Sequence, residues 1–308
     1  MGHRPGRYEI YPQAQLLETQ WRSLAAQAGT QSLVVGQSVQ GRPLWRFDFG
    51  RREPEAPTIF LSALIHGVEV IGSLALLDVV RALVANSGGI LEQNRLVVMP
   101  IVNPDAFAHN MDRLDRGHAA ARRKNARGVD LNRNFPQLGA AGARPWHPFS
   151  GSRFRFSPHY LGPHPLSEPE SRAVADVATA IKPAVALGFH SFGNMLLYPW
   201  GHTRAPNPRR ARYEGLVQAF GHALLQTPYR AGQAINFYPT VGDLDDWLDD
   251  RFGTLALTVE VGALDRRLLH PRRLLNAFCW MNPADVEATV RNVTPGVLNL
   301  LAQRPLAA

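Results

Sequence analysis

Apolar side chains recur at helical spacing through residues 12–28 (PQAQLLETQWRSLAAQA), and the stretches SLVVGQSV and PLWRFDFG that follow are short apolar-rich runs separated by Gly41. This pattern predicts a helix followed by a β-hairpin. Three apolar runs come next, TIFLSALI (58–65), RLVVMPIV (95–102) and AVALGF (184–189), with a helical pattern, GSLALLDVVRALVA, between the first two. A later run, TLALTVEVG (254–262), reads as a further buried strand. Runs that are apolar on both faces and alternate with helices require a sheet covered on both sides, so the predicted class is α/β. No repeat, low-complexity tract or long linker interrupts the apolar runs. The expectation is therefore one domain over residues 1–308, with residues 1–30 as a helical extension packed on it.

Composition changes this picture little. The formal charge is +8 and the isoelectric point about 10.2, carried almost entirely by arginine, since the lysines are Lys124 and Lys182 alone. A basic surface can track nucleic acid or an anionic cell wall. The arginines, however, are scattered in pairs such as Arg51-Arg52, Arg209-Arg210, Arg266-Arg267 and Arg272-Arg273, which favours a solvated surface and no nucleic-acid partner. A single cysteine, Cys279, rules out an intrachain disulfide and is expected to be a buried structural thiol. The N-terminal residues lack the apolar stretch of a signal peptide, and no run of about 18 apolar residues exists to span a membrane. A cytoplasmic chain without a membrane partner is expected.

The chemistry lies where the apolar runs end. TIFLSALI leads into His66, AVALGF into His190, and TLALTV into Glu260. Sites in open α/β sheets form beyond the carboxyl ends of strands, so these three distant segments are expected to converge. His66 and Glu69, three residues apart, can reach one ion from a turn, although such a pair also arises by chance, with His66 merely ending a strand. His190 would complete a His2Glu set with one coordination position open, the mark of a catalytic zinc site. A carboxylate must then take a proton from water. Glu260 is the candidate, flanked by Val259 and Val261 in a strand where an unpaired acid is costly to bury; the alternative is a salt-bridged structural glutamate. Downstream of the second apolar run, RKNARGVDLNRNF (123–135) brings Arg123, Asn132 and Arg133 into a Gly-containing loop, and arginine forks bind carboxylates bidentately.

His66-Gly67-Val68-Glu69, Asn103-Pro104-Asp105, Gly128-Val129-Asp130-Leu131-Asn132-Arg133-Asn134-Phe135, His190-Ser191-Phe192 and Thr258-Val259-Glu260, in this order and spacing, resemble the M14 family of zinc carboxypeptidases over roughly residues 30–265. The resemblance implies a mixed sheet of about eight strands flanked by helices. It assigns His66, Glu69 and His190 to one zinc ion, Glu260 to proton transfer and Arg123 to the scissile carbonyl. Asn132 and Arg133 match the pair that holds a terminal carboxylate, and Tyr238 matches a mobile tyrosine that closes over substrate. Asp245 matches the base of the side-chain pocket, where an acid favours a basic terminal residue. Asp243, Asp245, Asp246, Asp249 and Asp250 also cluster near a predicted helix start, where acids stabilise the helix for their own reasons. Asp243 and Leu244 depart from the family by replacing smaller pocket residues.

The implied function is hydrolysis of a peptide bond next to a free terminal carboxylate, with a basic or diaminopimelate-type terminal residue. The substrate is a peptide or, since RKNARGVDLNRNFP is also similar to bacterial murein peptide amidases, a peptidoglycan peptide. An N-acyl amino acid deacylase resembling succinylglutamate desuccinylase or aspartoacylase is the alternative. Tyr238 and the segment leading to Trp247 favour the peptidase.

Overall fold

The computed structural model describes residues 11–53, 55–86, 89–138, 150–264 and 275–303. The first ten residues of the expected N-terminal extension and the pairs Arg266-Arg267 and Arg272-Arg273 lie outside them. The predicted helix is α1 (Ala14–Gln27), which buries Leu17, Trp21, Leu24 and Ala25 along one face. The predicted hairpin is β1 (Ser32–Gln37) paired antiparallel with β2 (Pro43–Gly50).

The apolar runs form β3 (Thr58–Ala63), β4 (Arg95–Met99), β5 (Val185–His190) and β8 (Leu255–Glu260). Two short strands that the apolar pattern did not announce, β6 (Met195–Tyr198) and β7 (Arg230–Gln233), complete the sheet. β7 reads RAGQ, with little apolar content, and it sits at an edge where a strand needs only one neighbour. The order is β1-β2-β4-β3-β5-β8-β6-β7. Its centre, β4-β3-β5-β8, is parallel throughout, and the flanking pairs β2-β4 and β8-β6 are antiparallel. A mixed eight-stranded α/β sheet is therefore the fold.

Every residue of β3 and β5 is buried, because both sheet faces are covered. Side chains alternate between the faces. Ile59 and Leu61 join one apolar cluster with α1, α2 (Val70–Ala85) and the late helix Val286–Leu301, while Phe60 joins a second with the helices Pro169–Ile181 and Leu244–Phe252. Cys279, expected in the core, is instead half-buried, because its short helix Ala277–Met281 turns only Phe278 fully inward. No helix of the described residues is long and apolar enough to cross a membrane.

Candidate metal centre and cleft

β3 stops at Ala63, three residues before His66, because Leu64 adopts a left-handed backbone conformation (φ 53°) that turns the chain off the sheet. Residues 66–69 then form a tight turn packed on the helix Pro104–Asp115, here α3. Gly67 is there for contact: a Cβ would stand 2.3 Å from the Ala106 Cβ and 2.7 Å from backbone atoms of Ala106 and Phe107. Two buried amides brace the turn. Asn110 Nδ2 donates to the carbonyls of Gly67 (2.9 Å) and Arg122 (2.8 Å), and Asn103 Nδ2 donates to those of Ile65 and Arg123 (both 3.3 Å). Thus the turn carrying His66 and Glu69 is tied to the segment carrying Arg123. His190 and Glu260 need no such device, since they end β5 and β8 as direct register partners on adjacent parallel strands.

His66, Glu69 and His190 are buried, with one potential ligand atom from each lying within 4.8 Å of the others. His66 Nδ1 lies 2.9 Å from Glu69 Oε1 and 3.1 Å from His190 Nδ1, and His190 Nδ1 lies 2.9 Å from Glu69 Oε2. Behind them, His66 Nε2 meets Asp130 Oδ1 at 3.1 Å. A proton donated from Nε2 to that carboxylate leaves Nδ1 as a lone pair. That lone pair faces a second imidazole nitrogen and a carboxylate, a confrontation of donors that a cation resolves. Two nitrogens each 2.0–2.1 Å from a tetrahedral zinc are separated by roughly 3.3 Å, close to the observed spacing. Nitrogen and carboxylate donors in a His2Glu set suit zinc with a position left open. The residues present therefore fit one zinc ion.

The electrostatics follow from burial and partners. Burial opposes ionisation of Glu69, but the two imidazoles outweigh it and hold the carboxyl well below its usual range. Asp130 is likewise held low against burial by Arg123 and His66. For His190, burial works against its charge, yet the Glu69 carboxylate raises its pKa. Glu260 goes the other way: burial pushes it up to about 7, with His190 opposing and Glu69 assisting. Tyr238 Oη donates to Glu260 Oε1 at 2.9 Å, while Glu260 Oε2 is buried with no partner among the described residues. Arg123 bridges Asp130 (Nε to Oδ2, 3.0 Å) and Glu69 (Nη1 to Oε1, 3.2 Å).

All nine residues singled out on sequence grounds, His66, Glu69, His190, Glu260, Arg123, Asn132, Arg133, Tyr238 and Asp245, line one cleft of about 430 Å³. Asn132 and Arg133 sit in a single 3-10 turn, Leu131–Arg133, started by Asp130, whose side chain accepts from Asn132 N. Asn132 Oδ1 accepts from Leu244 N (3.0 Å), which joins this turn to the helix Leu244–Phe252. Gly242 lets the segment after Tyr238 press against it, since a Cβ there would lie 2.5 Å from the Arg133 carbonyl oxygen. Asp245 lies in the first turn of that helix, and its Oδ2 accepts from Thr258 Oγ1. Burial pushes its carboxyl up to about 7. Asp243 caps the same helix through Asp246 N, as expected of acids at a helix start.

Several residues of the site carried no assigned role on sequence grounds. Asp130 is one, although it stands inside the quoted GVDLNRNF motif, where a buried acid two residues before Asn132 was a readable signal. His159 is another. It lines the cleft and its Nδ1 lies 3.3 Å from Asp130 Oδ2, but it comes from a loop with no pattern to mark it.

The family model described as zinc carboxypeptidase matches residues 18–279. Carboxypeptidase B of Astacus astacus is 31% identical over 241 residues, covering 74% of this chain and 77% of the relative. Carboxypeptidase B of Rattus norvegicus is 30% identical over 249 residues, covering 75% of this chain, which spans 58% of that relative's length. Among solved structures, carboxypeptidase A of Helicoverpa armigera superimposes with a TM-score of 0.80 at 21% identity, covering 97% of this chain and 74% of that one. Murein-tripeptide amidase MpaA of Escherichia coli O157 superimposes with 0.53 at 24% identity, covering 89% and 92%. At these identities the two structures speak for the fold. With a match spanning residues 18–279 laid over a cleft suited to one zinc ion, the chain belongs to the M14 zinc carboxypeptidase family and is a hydrolase.

Proposed function

We propose that the protein removes a basic residue from the carboxyl end of a peptide, with His66, Glu69 and His190 holding zinc and Glu260 as the proton-transfer group. When bound, zinc supplies Lewis acidity that polarises a carbonyl oxygen and makes nearby water more acidic. Glu260 takes a proton from the attacking water as the water oxygen adds to the scissile carbonyl carbon. It returns that proton to the leaving nitrogen as the C–N bond breaks. The observation that carries this reading is the place of Glu260, the register partner of His190 at the end of the adjacent strand, with Oε1 held by Tyr238 and Oε2 buried without a partner among the described residues, so that one oxygen is available for a proton beside the donor set. Tyr238 keeps its own proton, since burial and the Glu260 charge raise its pKa well above 10, and orients Glu260 through Oε1. Arg123 is suited to hold the scissile carbonyl, and Arg133 with Asn132 to hold the terminal carboxylate. Asp245 supports a cationic side chain, because a cation lets a crowded carboxyl ionise.

Replacing Glu260 by Gln tests the reading. Turnover of a peptide ending in Arg or Lys is expected to fall about 10²–10⁴-fold while zinc stoichiometry is unchanged. Full activity in that variant would remove Glu260 from the mechanism. Hydrolysis of N-acyl amino acids in preference to peptides by the wild type would favour a deacylase instead.

A further inference from the structure

Asp243, Asp245 and Asp246 all line the cleft, more acid than one point cation needs. Their partners differ. Gly201 N donates to both oxygens of Asp246 (2.9 and 3.1 Å), and His202 Nδ1 lies 2.5 Å from its Oδ2, so Asp246 is committed to the protein. Asp245 Oδ2 is held by Thr258. Asp243 divides its roles: Oδ1 caps the helix at 2.9 Å from Asp246 N, whereas Oδ2 is buried without a hydrogen-bond partner among the described residues. The residue is only 6% exposed, so water does not readily make up the loss. Two glycines border these acids at ordinary contact distance. A Cβ on Gly201 would lie 3.6 Å from Asp243 Oδ2, and one on Gly188 would lie 3.8 Å from Asp245 Oδ1.

We propose that Asp243 is a second specificity-determining residue, and that Asp243 and Asp245 together make the side-chain pocket a receptor for a guanidinium, selecting a terminal arginine over a terminal lysine. This rests on the reading of the cleft as a pocket for basic terminal residues. An ammonium directs its three N–H donors from a single nitrogen, so it serves both acids only if their oxygens lie within hydrogen-bond reach of that one point. A guanidinium spreads five N–H donors around a plane and can serve acceptors contributed by two residues. The charge balance agrees, since Asp243 adds to the burial that pushes both Asp245 and Asp246 up to about 7.

The test compares kcat/KM for benzoylglycyl-arginine, benzoylglycyl-lysine and benzoylglycyl-leucine in the zinc-loaded wild type and in Asp243→Asn and Asp245→Asn. Binding of free L-arginine and L-lysine to the wild type is measured by calorimetry alongside. Asparagine keeps the capping oxygen, and ratios taken within each variant cancel a general loss of activity. The wild type is expected to favour arginine over lysine at least about tenfold in both measurements, and Asp243→Asn to bring that ratio close to one. Asp245→Asn should lower both basic substrates relative to leucine. A wild type that takes lysine as well as arginine, or an Asp243→Asn variant with an unchanged ratio, overturns the inference while a basic-over-leucine preference leaves the underlying reading standing. If neither basic substrate exceeds leucine in the wild type, both fall.

Discussion

Asp130 uses one carboxylate on three side-chain partners, His66 Nε2, Arg123 Nε and His159 Nδ1, at 3.1, 3.0 and 3.3 Å, besides the Asn132 N it caps. It sets which nitrogen of His66 faces the metal position and which way the Arg123 fork points. Replacing Asp130 by Asn is expected to weaken zinc binding about 10–100-fold, read by competition with a chromogenic chelator, because the amide is a poorer acceptor for the His66 proton. Asp245 carries a prediction of opposite electrostatic sense. Its folded pKa of about 7 lies above the usual carboxyl value, so the folded state holds its proton more tightly than the unfolded chain does. Its contribution to stability is complete below about pH 4 and is lost as pH rises through 7. Chemical denaturation of wild type and Asp245→Asn, both without substrate, should therefore show the variant gaining on the wild type across that window by up to a few kcal/mol. A difference that does not change with pH would show that Asp245 is not perturbed.

Between elements, the site depends on how closely backbones approach. The turn 66–69 reaches its place only because Gly67 has no Cβ to strike Ala106 on α3. Gly67→Ala should cost on the order of 1–3 kcal/mol of stability in thermal or denaturant unfolding, with loss of metal affinity, since either the turn or the helix must shift. Much at this scale was legible in the chain. The runs that became β3, β4, β5 and β8 are largely apolar on both faces because both faces of a parallel strand are covered, and that pattern is visible without coordinates. β6 and β7 were not legible: each has only four residues, and β7 is held at the edge by backbone pairing with β6 more than by its side chains. The acids at 243–250 were legible as a helix start, but their division between cap and cleft was not. Asp243 and Asp246 are alike in sequence, and the positions of Gly201 and His202 commit Asp246, while Asp243 keeps one oxygen without a partner among the described residues.

At the scale of the whole molecule, the metal position joins β3's exit, the end of β5 and, through Asp130, the turn that carries Asn132 and Arg133. An ion bound only by the folded state stabilises it by mass action, about 2.7 kcal/mol at a concentration a hundredfold above Kd. Dialysis against a chelator should abolish peptide hydrolysis and lower the melting temperature by several degrees, and added zinc should restore both. An unchanged melting temperature with full turnover in verified metal-free protein would contradict a zinc centre. The amino-acid sequence by itself determined the α/β class, the buried parallel strands and the residue types able to hold zinc and move a proton, because periodicity and ligand chemistry are local properties. The tertiary structure alone decided that His66, Glu69 and His190 share one point, that Asp130 orients His66, and that Asp243 turns one oxygen to no donor among the described residues. Those relations join positions as much as 124 residues apart, and they are set by strand register, a left-handed turn at Leu64 and the contacts that glycines permit, none of which any single segment contains.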